Sequence, residues 1–246
     1  MYATTRGLVL REVRYKEADR ILTVLTEDRG KLTVKARGAL RKGSRLGAAS
    51  QALCWSEFTL FGNRGRWTAD EGSSLEQFLG LREDIARLSL GAYFAELLDT
   101  VCAEEVPDAP ALRLALNALY ALSRELYPPE HIKSVFELRL MALEGFRPET
   151  DACGVCGRAD VAEPLFIPDA GMVCCRDCGA AAGAGLPLDA EALAAARHIV
   201  NAPAKKEFSF SVPEASEERL ARACETYVRR QLDRGFPSLD YWKSVK

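Results

Sequence analysis

The sequence has only two histidines and lacks the short motifs that several common enzyme classes need. Zinc deaminases require H-x-E, but neither His131 nor His198 is followed by Glu two positions later. The segment 38–44 resembles a phosphate-binding loop, yet Ser44 stands where the G-x4-G-K-[ST] motif needs lysine. No G-x-S-x-G elbow is present, and no carboxylate cluster suggests the metal centre of a nuclease. These absences predict that the protein is not an enzyme.

Long apolar runs and an export signal are also missing. No window approaches the roughly 18 consecutive apolar residues of a membrane-spanning helix. Residues 1–6 lack the basic, apolar and small-residue segments of a secretory signal. We therefore expect a globular cytoplasmic protein without membrane contact, whose eight cysteines are reduced thiols or metal ligands rather than disulfides.

Positive charge is concentrated at the amino-terminal end. The first fifty residues contain twelve Lys or Arg and five Asp or Glu, a net charge of +7 in a chain whose formal net charge is −2. Residues 81–246 carry 19 basic and 26 acidic side chains, a net charge of −7. A polyanion responds to the local field, so the acidic total does not exclude nucleic acid as a ligand. The amino-terminal part is therefore the candidate nucleic-acid surface.

Residues 1 to about 75 have the pattern of β-strands. Apolar and polar residues alternate in segment 30–37, which places Leu32, Val34 and Ala36 on a core face. Turn residues at 27–30 indicate a hairpin before this strand. Five short strands within about 70 residues fit a small barrel. The predicted strands lie in segments 7–13, 21–26, 30–37, 54–61 and 66–69.

The other face of the third strand and the loop after it are rich in cations. Same-face residues on a strand repeat about every 6.6 Å, so such a row can follow several phosphates. A solvated face without a ligand is the alternative. Four aromatic residues could stack on bases, although strand aromatics usually belong to the core: Trp55, Phe58, Phe61 and Trp67. The candidate DNA-binding residues are Lys31, Lys35, Arg37, Arg41, Lys42 and Arg45.

From about residue 82 the apolar period becomes that of α-helices, in segments 85–102, 112–126, 129–143 and 220–232. These stripes are expected to face the core rather than a partner. We predict a multidomain α+β fold, with a barrel in residues 1–80 and an α-helical domain in residues 81–246. The first helical stripe contains Ile85, Leu88, Ala92, Ala95, Leu98 and Cys102.

Two C-x2-C pairs separated by eighteen residues lie within the helical part, at about 150–182. Each short turn directs two sulfurs at one tetrahedral ion, so this spacing is typical of a zinc ribbon or knuckle. Cys174 competes with Cys175, but only Cys175 gives the x2 spacing. Four thiolates leave no open position, which predicts one structural Zn²⁺; unmetallated core cysteines are the alternative. The predicted ligands are Cys153, Cys156, Cys175 and Cys178.

Several segments of the amino-terminal region resemble the bacterial RecO family. They are GLVL at 7–10, YKEADRIL at 15–22, LTEDRGKL at 25–32 and VKARG at 34–38. The similarity extends weakly over the chain, through a helical middle, a cysteine quartet found in some members, and Lys243-Ser244 near the carboxyl end.

This resemblance implies an amino-terminal OB-fold followed by a helical domain. It also implies binding to single- and double-stranded DNA, annealing of complementary strands, and association with the nucleoid. The expected partners are RecR and single-strand-binding protein, with a functional link to the loading of RecA. The alternative is an adaptor whose zinc-containing helical part binds proteins while the barrel surface stays solvated.

Overall fold

The computed structural model describes residues 1–182, 185–204 and 206–246. The chain packs as two compact units: Met1–Arg124 joined by Phe236–Lys246, and Glu125–Gly235. The first unit contains the five strands before residue 80 together with the helices of residues 85–124 and 237–245, and a smaller three-stranded sheet lies in the second unit. No helix in these described segments is long and apolar enough to cross a membrane.

Five strands in the first unit form a closed barrel, in the order β1-β2-β3-β5-β4. β1 pairs antiparallel with β2 and with β4, β2 pairs antiparallel with β3, and β4 pairs antiparallel with β5. β5 also pairs with β3, in parallel, and this pairing closes the barrel. This confirms the predicted five-stranded barrel. β1 and β5 are longer than predicted, because their backbone pairing continues past the apolar segments. The bounds are β1 Tyr2–Tyr15, β2 Asp19–Thr26, β3 Gly30–Ala36, β4 Trp55–Asn63 and β5 Arg66–Glu76.

The barrel core contains the residues that alternation in β3 predicted. Leu32, Val34 and Ala36 are at most 2% exposed and pack in one cluster with residues of all five strands. The predicted hairpin is also present, since Thr26 pairs with Gly30 across the turn. Gly30 has φ of +68°, and a Cβ there would lie 2.2 Å from the carbonyl oxygen of Val106, so only glycine fits. The hairpin is thereby packed closely against the segment after the first long helix.

A 3₁₀ turn and three helices complete the first unit, and the short helix α1 (Leu46–Ala49) precedes β4. The N-cap of α2 is Asp84 and that of α3 is Asp108; each accepts a backbone hydrogen bond, as capping requires. The predicted stripe of α2 is partly wrong: Ile85 and Ala92 are exposed, because the helix buries a different, broader face that includes Tyr93. The bounds are Leu79–Glu83 for the 3₁₀ turn, α2 Ile85–Val101, α3 Ala109–Ser123 and α8 Pro237–Val245.

Helix α8 packs on α2 within the first unit. Trp242 is 2% exposed, and the Phe236 ring meets the Tyr93 ring edge-on at a centroid distance of 5.5 Å. The backbone N–H of Ser238 donates to Glu96 Oε2 at 3.2 Å. Sequence periodicity missed this helix, although Pro237 at its first turn is a common helix start.

The second unit consists of helices around a three-stranded sheet of order β7-β6-β8. Its helix α4 pairs with α7, and their shared interior holds a buried ion cluster. Lys133 Nζ lies 3.0 Å from Glu137 Oε2 and 3.2 Å from Glu225 Oε2. Burial disfavours the charged amine, but the two carboxylates outweigh it and raise the pKa of Lys133. The bounds are α4 Pro129–Leu143, β6 Leu165–Ile167, β7 Met172–Cys174, α5 Arg176–Ala182, β8 Leu186–Pro187, α6 Ala190–Asn201 and α7 Glu214–Gln231.

Candidate nucleic-acid interface and metal centre

One end of the barrel is formed by the β1–β2 hairpin turn, residues 16–18, and the loop after β3, residues 37–45, which we call the basic loop. The backbone N–H of Leu40 donates to the carbonyl oxygen of Ala18 at 2.9 Å, and joins the two segments. Ala39 is 2% exposed and belongs to the barrel core, so it fixes the middle of the loop. Backbone hydrogen bonds from Arg41 to Gly38 and from Ser44 to Arg41 fold the remainder into successive turns. The loop is therefore an ordered platform.

Four of the six candidate DNA-binding side chains lie on this basic loop and are exposed. Within the described residues, none of the four has a carboxylate oxygen within 4.0 Å of its charged nitrogen atoms. A cation without a local counterion is available to a phosphate, whereas a paired cation must first lose its partner. These four residues are Arg37, Arg41, Lys42 and Arg45.

Lys35 lies beside the basic loop but is paired. Its Nζ is 3.0 Å from Asp19 Oδ2, while Asp19 Oδ1 accepts the backbone N–H of Gly38 at 2.8 Å. The Gly38 amide and the Lys35 ammonium hold the pKa of the Asp19 carboxyl below its usual value. Asp19 thus connects the hairpin, the end of β3 and the start of the loop. Part of the charge of Lys35 is neutralised by this contact.

Lys31 is placed apart from the other five candidates. It is 7% exposed, and its Nζ donates to the backbone oxygen of Asp99 at 2.5 Å and pairs with Asp99 Oδ1 at 3.3 Å. The amine therefore joins the start of β3 to α2. The alternation in β3 predicted that the Lys31 side chain faces solvent. It could not show that α2 covers this side chain, because α2 is distant in sequence.

The aromatic residues that were candidates for base stacking differ in accessibility. Phe58 is 1% exposed and belongs to the barrel core. The remaining three are half-buried: Trp67 packs against the core under the Arg29 guanidinium, and Phe61 contacts Tyr2. Sequence reasoning overlooked Tyr15, which ends β1 at the hairpin and is 41% exposed. Its position next to Lys16 in a cationic hairpin was the available signal.

The four cysteines of the two C-x2-C pairs meet in the second unit, and we call them the cysteine cluster. Their sulfur atoms lie within 4.8 Å of one another, and Cys156 Sγ is 4.0 Å from Cys175 Sγ. The first pair precedes β6 and the second follows β7, so the hairpin of these strands brings them together. Gly154, within the first pair, packs closely on β7, since an added Cβ there would lie 2.4 Å from Met172 Sδ. Cys174 is outside the cluster, which agrees with the predicted choice of Cys175.

The electrostatics of the cysteine cluster favour a bound cation. Backbone N–H groups of Cys156, Cys175 and Val155 lower the pKa of the Cys153 thiol to about 5. Contact with the sulfur of Cys175, burial, and the other sulfurs raise the pKa of Cys178 to about 12. Four adjacent thiolates thus resist simultaneous ionisation unless a positive ion is among them. A tetrahedron with Zn–S bonds of about 2.3 Å has sulfurs about 3.8 Å apart, so the donor set fits zinc.

The architecture defines a class of protein with a basic five-stranded barrel, helices and a cysteine cluster that could hold a metal ion. Family models match both parts of the chain: Recombination protein O N terminal at residues 1–78, and Recombination protein O C terminal at residues 82–240. The chain belongs to the Recombination protein O family. The resemblance noted in the amino-terminal segments is thereby confirmed.

Relatives with similar length extend the comparison over the whole chain. A DNA repair protein RecO from Acetivibrio thermocellus is 33% identical over 246 residues, covering 99% of this chain and 97% of the relative. One from Alkaliphilus metalliredigens is 30% identical over 246 residues and covers both chains fully, 100% of each. A third, from Listeria monocytogenes serotype 4b, is 32% identical over 170 residues, or 69% of this chain and 66% of the relative.

Proposed function

We propose that this protein is a DNA repair and recombination mediator that binds single- and double-stranded DNA through the end of its barrel. The observation that carries the proposal is the basic loop, with four exposed cations that have no carboxylate oxygen within 4.0 Å in the described part of the chain. The loop is held beside the β1–β2 hairpin, which is the part of an OB-type barrel that commonly contacts oligonucleotides. Membership of the family supports the same assignment.

The bound groups are the phosphates of the DNA backbone. Arg37, Arg41, Lys42 and Arg45 supply charge that does not depend on base sequence, so both single strands and duplexes can bind. Annealing requires that the repulsion between two complementary strands be screened while their bases stay accessible. It breaks no covalent bond, and the protein accordingly acts without a catalytic centre.

The partners follow from the family rather than from a surface of this chain. RecR and single-strand-binding protein bind the protein, and together they help to load RecA on strands that single-strand-binding protein has coated. The protein works in the cytoplasm, associated with the nucleoid. Residues 81–246, with their net charge of −7, are an unsuitable primary surface for phosphates.

The cysteine cluster holds one zinc ion in this proposal. When bound, zinc supplies a tetrahedral cross-link between four thiolates and has no open position for substrate. Cys153 and Cys156 hold it from the turn before β6, Cys175 holds it from the position directly after β7, and Cys178 holds it from the first turn of α5. The ion therefore stabilises a part of the second unit whose β-sheet has strands of only two or three residues.

Titration of the protein into labelled single-stranded DNA at two salt concentrations tests the proposal. We expect binding that weakens steeply with salt, and faster annealing of complementary strands coated with single-strand-binding protein. Incubation of DNA with the protein and Mg²⁺ should leave the strands intact. Absence of DNA binding in dilute buffer would favour the adaptor alternative, and strand cleavage would contradict a role without catalysis.

A further inference from the structure

The β1–β2 hairpin presents an exposed aromatic ring with the ammonium groups of two lysines near it. Tyr15 is 41% exposed, and the Nζ atoms of Lys35 and Lys16 lie 5.1 Å and 5.5 Å from its ring centroid. Cations at these distances are attracted to an aromatic face. We propose that Tyr15 stacks on an unpaired base of a single strand while the two lysines contact the phosphates beside that base. The inference rests on the proposed DNA binding and specifies which form of DNA this position recognises.

Strand register explains why these groups share one surface. Val13 pairs with Ile21, and Ile21 pairs with Lys35, so the three residues form a row across β1, β2 and β3. Tyr15 is two residues after Val13 and therefore points to the same face. Val13 is itself 45% exposed, which identifies this row as the outer face of the barrel. Tyr15 thus lies on the open side of the sheet rather than over the core.

The hairpin turn holds Lys16 in a backbone conformation that favours glycine. Lys16 has φ of +56°, in the left-handed region where a residue with a Cβ is disfavoured. Glycine would occupy this turn position without that cost, so the turn conformation does not account for a lysine there. Its ammonium lies over the Tyr15 ring instead of extending away from the hairpin.

The chemistry distinguishes single strands from duplexes. Every base has a π-face, so stacking on Tyr15 tolerates any sequence but requires a base that is free of its own stack. Paired bases inside a duplex do not offer that face without first being unstacked. Duplex binding at this surface therefore depends on phosphate contacts alone. A stacked base also remains open at its pairing edge, which suits a protein that presents strands for annealing.

The test compares Tyr15→Leu and Tyr15→Phe with Tyr120→Leu. Tyr120 is a matched control because it is 49% exposed and has the Arg124 guanidinium 5.7 Å from its ring centroid, but lies on α3. Dissociation constants are measured by fluorescence anisotropy for a labelled single strand and for a duplex of the same length. Thermal unfolding of each variant verifies that it is folded.

We expect Tyr15→Leu to weaken single-strand binding at least about fivefold, the lower end of base–aromatic stacking. Tyr15→Phe should stay within about twofold of the unchanged protein, because it keeps the ring. Duplex affinity and the salt dependence of both should not change, since no charge is removed.

If Tyr15→Leu weakens binding to the single strand and to the duplex equally, the inference is overturned. The ring would then affect binding only by positioning the two lysines for phosphates, which both forms of DNA have. Single-strand binding by Tyr15→Leu that matches Tyr120→Leu would also overturn it. Removing the four cations of the basic loop separates the two claims. If that change abolishes binding while Tyr15→Leu has no effect, stacking fails and the proposed function stands; if neither variant alters binding, the proposed DNA surface itself is wrong.

Discussion

Neutralising the basic loop is the change that bears most directly on the proposed DNA surface. The slope of log affinity against log salt concentration is negative, and its magnitude decreases by about 0.7 for each single-strand phosphate that the protein no longer neutralises. Removing four cations therefore decreases the magnitude by about 2.8. Between 50 and 200 mM salt, the affinity of the unchanged protein should then fall about 50-fold more than that of the variant. The variant replaces four residues with alanine: Arg37, Arg41, Lys42 and Arg45.

A matched control removes the same amount of charge elsewhere. Anisotropy titrations with one labelled oligonucleotide, at several salt concentrations, give the slopes for the unchanged protein and both variants. Lys31→Met provides a second comparison, because its amine is already bound to Asp99 and should contribute nothing to the slope. The account is refuted if the control lowers the slope as much as the loop variant does. The control replaces four exposed cations with alanine: Arg113, Arg158, Lys206 and Arg222.

Three further predictions concern the groups that support this surface and the second unit. Cys153→Ser should lose the proposed zinc ion and lower the thermal unfolding midpoint, while DNA affinity of the folded fraction stays within about twofold. Cys174→Ser should bind as much zinc per chain as the unchanged protein by atomic absorption. Equal zinc loss in both variants would contradict the proposed ligand set. Asp19→Asn keeps an acceptor for the Gly38 amide and frees Lys35, so it should bind DNA more tightly than Asp19→Ala; equal affinities would show that Asp19 does not hold the loop. Lys133→Met leaves two carboxylates without their buried cation and should lower the free energy of unfolding in urea by about 3–5 kcal/mol, and a decrease below about 1 kcal/mol would mean that the ion cluster contributes little.

Local sequence patterns predicted the barrel strands, by alternation of apolar and polar residues in β3 and by short apolar runs in β1 and β2. Leu32, Val34 and Ala36 show this, since their spacing alone assigns them to the core. The parallel pairing of β3 with β5 closes the barrel, and it joins segments that local patterns cannot relate. Helix α2 shows the complementary limit: it is apolar on several sides, so periodicity found the helix but selected a partly exposed stripe.

The cysteine cluster was predictable because the C-x2-C spacing can be read directly from the sequence. The structure brings together the four sulfurs that this spacing selects. The cationic surface was predictable only as a composition. Which cations are unpaired depends on partners distant in sequence, such as Asp99 for Lys31 and Asp19 for Lys35. Tyr15 was overlooked for the same reason, since Lys35 reaches its ring from a different strand. Helix α6 was also missed, although Asp189 caps its first turn.

Photochemical cross-linking tests the central claim most directly. A single strand with photoreactive bases is irradiated in complex with the full protein, and the cross-linked peptides are identified by mass spectrometry. The account predicts adducts within residues 11–45, the segment that holds the β1–β2 hairpin and the basic loop. Adducts confined to Glu125–Gly235 would contradict it, because the DNA would then be bound by the unit that contains the cysteine cluster.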